Sequence, residues 1–208
     1  PDPPIELIAA GLGFLVDAKA DCVVALGGGS AIDAAKATIL MAKRSGFKDQ
    51  IKLIAIPTTS GTGSEVTLAA VITDEKSHYK YPINDFALIP RYAVHDWRLT
   101  RGLPPAITGQ TGMDALTHAV EAYIGRSTTR HTRRMATEAV RLVHDNLLDA
   151  YRNGGDERAR TAMMEAAYKA GVAFTQSYVG YVHAIAHSLG GQYGTPHGLA
   201  NAVILPHV

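Results

Sequence analysis

The sequence predicts an α/β half built on a partial parallel sheet, followed by an all-α half. Three observations carry this. DCVVALGGGS and IKLIAIP are short apolar runs closed by glycine or proline, with helical spacing between them. That alternation is the pattern of a parallel sheet wrapped by helices. From about Leu103 onward, only segments with helical spacing follow.

Residues 4–19, PIELIAAGLGFLVDAK, read as an amphipathic helix opened by proline. DCVVALGGGS then reads as a buried parallel strand. Ser30 is the expected N-cap of the next helix, with Asp33 three residues on as its capping-box partner. IKLIAIP is a second buried strand closed by Pro57. VTLAAVIT and YKYPI alternate like a β-hairpin around DEKSH, and RYAVHD makes one more short strand. Helical spacing then fills PPAITGQTGMDALTHAVEAYIG, RHTRRMATEAVRLVHDNLLDAYR and DERARTAMMEAAYKAGVAFTQ, with glycines between them. The character changes near residue 100.

Composition narrows the function classes. A chain of 208 residues has room for ample core. A net charge of +1, with 19% charged residues, offers no broad basic surface, so no nucleic-acid partner is expected. No run of about 18 apolar residues exists, so no membrane span is expected. Cys22 is the single cysteine, which excludes an internal disulfide and suits a reducing, cytoplasmic setting.

Two glycine-rich loops follow the two apolar runs. In Gly27-Gly28-Gly29-Ser30 the missing side chains let a phosphate approach the backbone, and the following helix aims free N–H groups at it. The second loop is Pro57-Thr58-Thr59-Ser60-Gly61-Thr62-Gly63-Ser64-Glu65, rich in hydroxyls and backbone amides. Ligands of open α/β sheets gather at the carboxyl ends of strands, where both loops lie.

The histidines cluster late. His183 and His187 are spaced i, i+4 in YVHAIAHSLGGQYGTPH, so both rings leave one helical face. A Gly-Gly break and Gly-Thr-Pro then bring His197 in on a different element. Asp114 and His118 form a second i, i+4 pair in GMDALTH. Three imidazoles and one carboxylate suit a borderline divalent ion, Fe(II) or Zn(II), and lack the thiolates of a structural zinc site. His78, His95, His131 and His144 have no ligand-like spacing and are expected at surface or packing positions.

These motifs together resemble the iron-containing (group III) alcohol dehydrogenase family, of the dehydroquinate-synthase-like superfamily. VVALGGGSAIDAAKA, LIAIPTTSGTGSEVT, GMDALTHAVEAY and VHAIAHSLGGQYGTPHGLANAVILPHV are similar to the family's signatures, in its order and across nearly the whole chain. The resemblance implies a Rossmann-like dinucleotide-binding domain over 1–100 and a helical metal-binding domain over 101–208. It implies NAD or NADP and the metal meeting in the cleft between them. The family's first strands, which help choose NAD or NADP, would precede Pro1, and its remaining helices would follow Val208. SGFKDQIKL is short for the family. Asp114, His118, His183 and His197 match the metal ligands. His187 matches a histidine beside the metal near the nicotinamide, suited to moving the hydroxyl proton. Gly28, Gly29, Ser30 and Asp33 match the pyrophosphate loop, Thr58, Thr59 and Thr62 the second cofactor loop, and Lys80 a cofactor-contacting lysine. His207 is expected to be structural. Phe174, Tyr178 and Tyr193 are expected to line the substrate pocket.

The implied activity is interconversion of an alcohol and its aldehyde or ketone, in a homo-oligomer, dimer or larger. The rivals are a related polyol dehydrogenase, a dehydroquinate-synthase-like lyase, a maleylacetate reductase, or a truncated non-catalytic nucleotide-binding module. Asp114 with three spaced histidines argues against the metal-free reductase, and PTTSGTGSE fits the alcohol dehydrogenases better than the polyol enzymes.

Overall fold

The computed structural model describes residues 3–47, 50–77 and 79–208; His78 lies outside them. By its internal contacts the chain divides into two units. One comprises Pro1–Pro57 with Ser64–Val94, the other Thr58–Gly63 with His95–Val208.

The first unit opens with helix α1 (Ile5–Asp17), which buries Ile8 and Leu15 on one face. Strand β1 (Cys22–Gly27), helix α2 (Gly29–Arg44) and strand β2 (Lys52–Pro57) follow. β1 and β2 pair in parallel, and the two-residue strand β5 (Tyr92–Ala93) adds to the other edge of β2, also in parallel. Strands β3 (Ala69–Asp74) and β4 (Tyr79–Asn84) form the expected antiparallel hairpin. Leu15, Ala25, Ile32, Ile39, Ala42, Leu53 and Ala55 make the core between sheet and helices.

Three expectations are corrected here. β1 is parallel but not buried: it is an edge strand, and Val24 and Leu26 are 59% and 58% exposed. The helices cover only the Val23 and Ala25 side, so alternate residues on the strand face away from the core. Cys22 is exposed as well. Ser30 is not the N-cap. Gly28 occupies the cap position of α2, where it has no side chain to offer, and Ser30 is already inside the helix.

A buried polar node lies behind this helix. Asp33 accepts hydrogen bonds from Ser64 Oγ at 2.5 Å and from the Val71 amide at 2.9 Å, tying α2 to the end of the threonine-rich loop and to β3. One turn later Lys36, fully buried, donates to Thr67 O at 2.8 Å, Thr67 Oγ1 at 3.1 Å and Ala69 O at 2.8 Å. Burial lowers its pKa to about 8, although Asp33 and Glu65 act to raise it.

The second unit is helical: α3 (Pro105–Ile124), α4 (Arg130–Arg152), α5 (Glu157–Ser177), α6 (Tyr181–Tyr193) and α7 (His197–Ile204). Proline at the start of α3, a Thr129–Thr132 capping box on α4 and Asp156 on α5 set the helix starts. Their contacts are small: Ala119, Ala122, Ala136, Ala139, Ala170 and Ala173 form one core cluster of α3, α4 and α5. A second cluster centres on Val143 and Met163. The loop Thr58–Gly63 packs on this unit, Gly61 against Thr111 and Gly63 against Ala167 and Gly171.

The third correction concerns the late glycines. α6 runs straight through Gly190-Gly191 to Tyr193 and stops at Gly194, whose φ of 66° is the left-handed conformation that closes a helix. The turn that delivers His197 is made by Gly194, not by the Gly-Gly pair. α7 then packs so closely on α3 that a Cβ at Gly198 would collide with the carbonyl of Gln110.

Candidate metal centre

Three helices of the second unit converge on one buried point. α3 brings Asp114 and His118 one turn apart on its inner face, α6 brings His183, and α7 begins with His197. Asp114 and His183 are 3% and 2% exposed. One atom each of Asp114, His183 and His197 lies within 4.8 Å of the others. Asp114 Oδ1 is 3.5 Å from His183 Nε2 and 3.4 Å from His197 Nε2. Ligand atoms about 2.1 Å from a tetrahedral centre stand roughly 3.4 Å apart, so these separations match a shared first-row divalent ion.

His118 stands beside this set rather than in it. Its ring stacks on His183 at 4.3 Å and on Phe174 at 4.1 Å, and its Nδ1 is 3.9 Å from Asp114 Oδ1. That Nδ1 is buried without a hydrogen-bond partner, an orphaned donor-set atom next to three converging ones. His187 is half-buried, its ring 5.0 Å from that of His197 and 6.3 Å from that of His183. Tyr178 and Tyr193 are largely exposed.

Two residues of the site escaped the sequence reading. Asn201, one turn after His197 and fully buried, donates from Nδ2 to Asp114 Oδ1 at 2.7 Å. The same nitrogen is 3.3 Å from both His183 Nε2 and His197 Nε2, so an amide N–H₂ sits among the three ligand atoms. Its Oδ1 is buried and unpartnered. Glu121, two turns after Asp114 and buried, accepts from His183 Nδ1 at 2.6 Å and from the Val182 amide at 2.7 Å. Both residues extend a helical spacing already visible: i+4 from His197 and i+7 from Asp114.

The electrostatics favour a cation. Burial opposes charge on Asp114, but the neighbouring His118 and His197, and hydrogen bonds with His183 and His197, hold its carboxyl well below the usual range. For Glu121, burial is likewise outweighed by the His183 hydrogen bond and the Gly180 and Val182 amides, so its pKa is also lowered. Burial pushes His118 down to about 3 and keeps it neutral. Burial also opposes charge on His183, yet hydrogen bonds to Asp114 and Glu121 raise it to about 9. Two ionised, buried carboxylates outnumber the one protonated ring, His183, and leave the pocket electronegative, and the donor set fits Fe(II) or Zn(II).

In the first unit, Gly28, Gly29 and Ser30 form the start of α2, and β1 ends at Gly27 opposite Pro57, where the Thr58, Thr59 and Thr62 loop leaves β2. Lys80 is a half-buried residue of β4 paired with Thr73. Among the other histidines, His95, His131, His144 and His207 are exposed, His95 in edge contact with Tyr168 and His144 paired with Asp145.

Comparison with known proteins matches residues 1–97 to the family described as iron-containing alcohol dehydrogenase and residues 108–208 to the C-terminal part of the Fe-containing alcohol dehydrogenase family. The chain belongs to the iron-containing alcohol dehydrogenase family. It is 44% identical to alcohol dehydrogenase 4 of Saccharomyces cerevisiae, over all of this chain and 57% of that protein. It is 46% identical to 1-propanol dehydrogenase PduQ of Citrobacter freundii, over all of this chain and 56% of that protein. The chain thus spans little more than half the length of these relatives. Sulfoacetaldehyde reductase from Bifidobacterium kashiwanohense, solved in complex with NAD+, superposes with a TM-score of 0.92 at 35% identity, covering all of this chain and 58% of the other. The parallel sheet followed by an all-helical region is the family's fold.

Proposed function

We propose that the protein is a metal-dependent, NAD(P)-linked alcohol dehydrogenase that interconverts an alcohol and its aldehyde or ketone. The observation that carries this is the convergence of Asp114, His183 and His197 in a buried electronegative pocket of an iron-containing alcohol dehydrogenase chain. His118, whose buried Nδ1 lacks a partner, is the fourth ligand. When bound, the ion would supply Lewis-acid polarisation of the substrate oxygen, and a nicotinamide dinucleotide would supply the hydride chemistry. The chain's own residues do the rest. The first turn of α2 at Gly28, Gly29 and Ser30 would hold the pyrophosphate, with Asp33 bracing that helix from behind. Thr58, Thr59 and Thr62 hold the neighbouring part of the cofactor, and Lys80 approaches it from β4. His187 moves the hydroxyl proton towards solvent, as its half-exposed ring allows. Dinucleotide binding belongs to residues 1–100 and metal binding to 101–208. A short alcohol or aldehyde substrate, a cytoplasmic setting and a homo-oligomer complete the reading. No helix among the described residues is long and apolar enough to cross a membrane.

The test is metal analysis of the full-length protein, followed by NADH and NADPH oxidation with short aldehydes. About one Fe or Zn per chain, with turnover, is the expected result; nucleotide binding with neither metal nor turnover overturns the proposal.

A further inference from the structure

His183 presents a different carboxylate to each ring nitrogen. Nε2 faces the converging point, 3.5 Å from Asp114 Oδ1, and Nδ1 faces away, 2.6 Å from Glu121 Oε2. An ionised carboxylate only accepts, so Glu121 holds the ring proton on Nδ1. Nε2 then carries the lone pair that a metal needs. The carboxylate is fixed at both ends. Its other oxygen, Oε1, accepts from the Val182 amide, and a Cβ at Gly180 would stand only 2.9 Å from that oxygen. Glu121 therefore joins α3 to the first turn of α6, and Gly180 leaves the room for it.

We propose that Glu121 is a positioning residue that fixes which nitrogen of His183 is offered to the metal, and so sets the affinity of the centre. The proposal rests on the metal reading above. Its cause is separable from general packing because glutamine has the same size and hydrogen-bonds with opposite polarity. In Glu121→Gln the amide oxygen can still accept from Val182, while the amide nitrogen donates to His183 Nδ1. Nδ1 must then be the acceptor, and the ring proton moves to Nε2, where it blocks ligation. Outer partners of metal-bound histidines are typically worth 10- to 100-fold in affinity.

The experiment measures Zn²⁺ affinity of the full-length protein by competition with a chromophoric chelator, and the Co²⁺ absorption bands of the loaded protein. Wild type, Glu121→Gln and Glu121→Asp are compared, with thermal denaturation in chelator as the control for folding. Expected are a 10- to 100-fold loss of Zn²⁺ affinity and an altered Co²⁺ spectrum in Glu121→Gln, with recovery of most of both in Glu121→Asp, which keeps the acceptor charge. Equal Zn²⁺ affinity and an unchanged Co²⁺ spectrum in Glu121→Gln overturn the proposal while the metal reading stands. Equal losses in the Gln and Asp variants also overturn it, since they make the side chain's fit, rather than its charge, the cause. Absence of Zn²⁺ binding by the wild type overturns the metal reading itself.

Discussion

At Tyr178 the backbone takes φ 66° and ψ 179°, between the end of α5 and helix α6, which carries His183 and His187. That region is essentially restricted to glycine, because a Cβ there crowds the backbone, and a side chain held in it costs about 1–3 kcal/mol. The ring offers little in return through burial, being 61% exposed. Tyr178→Gly should therefore stabilise the protein by about 1 kcal/mol, the relief of strain being partly offset by the greater freedom of glycine in the unfolded chain. Urea unfolding of the two proteins measures it. A glycine variant destabilised by more than about 1 kcal/mol would mean that contacts of the ring outweigh the strain. The strain is local to the loop that delivers His183 five residues later, which is where stored backbone strain commonly collects. At this scale the i, i+4 pairs pointed to the right helix faces but not to the converging set, which takes Asp114 and His183, one from each pair, together with His197 from the next helix. Asn201 and Glu121 follow helical spacing too, but Asn and Glu on a helix usually face water, so spacing alone does not assign them to the site.

Among the elements, α2 shows why local patterns mislead. Ser30 and Asp33 have capping-box spacing, yet Asp33 turns to Ser64 and Val71, partners 31 and 38 residues away. A one-turn pattern contains no information about such distant donors. β1 is similar: its apolar run is a real strand, but burial depends on what covers each face, and only one face is covered by helices. By contrast the amphipathic spacing of α4 and the glycine-punctuated boundaries of the helical unit survive, because they are set within each element. The same helix α2 carries a prediction about pH. Lys36 has its pKa lowered from 10.5 to about 8 by burial, against the pull of Asp33 and Glu65. Below pH 8 both folded and unfolded chains hold the proton. Between about 8 and 10.5 the folded protein releases it while the unfolded chain keeps it, so the unfolding free energy gains with rising pH. The gain from this group is on the order of 3 kcal/mol across the window. In Lys36→Met the gain should vanish, while the carbonyls of Thr67 and Ala69 lose their donor at a cost of about 1–3 kcal/mol. Denaturation curves from pH 7 to 10 distinguish the two; parallel pH profiles for wild type and variant would remove Lys36 from the account.

For the whole molecule, the two units are each held by their own cores, one around Ile32 and Ala55, the other around the alanines of α3, α4 and α5. If the glycine loop serves the dinucleotide and the histidine cluster serves the metal, the two binding functions can be damaged one at a time. Ser30 lies in the first turn of α2, where an added carboxylate suits the helix dipole by about 0.3–1 kcal/mol. Ser30→Asp should therefore leave the fold intact or slightly stabilised. Set against a pyrophosphate, the same charge is repelled by about 1–4 kcal/mol at contact distance, so NADH affinity should fall about tenfold or more while metal content is unchanged. His197→Ala removes one of the three converging ligand atoms and one neighbour of Asn201 Nδ2. Its metal content should fall below stoichiometric levels, while NADH affinity stays within about twofold, a difference of less than 0.5 kcal/mol. Fluorescence titration with NADH and metal analysis on the same preparations give all four numbers. Unaltered NADH affinity in Ser30→Asp would place the pyrophosphate elsewhere. Retained metal in His197→Ala would take that histidine out of the ligand set. Loss of both functions in either variant would show that the two sites depend on one another for their formation.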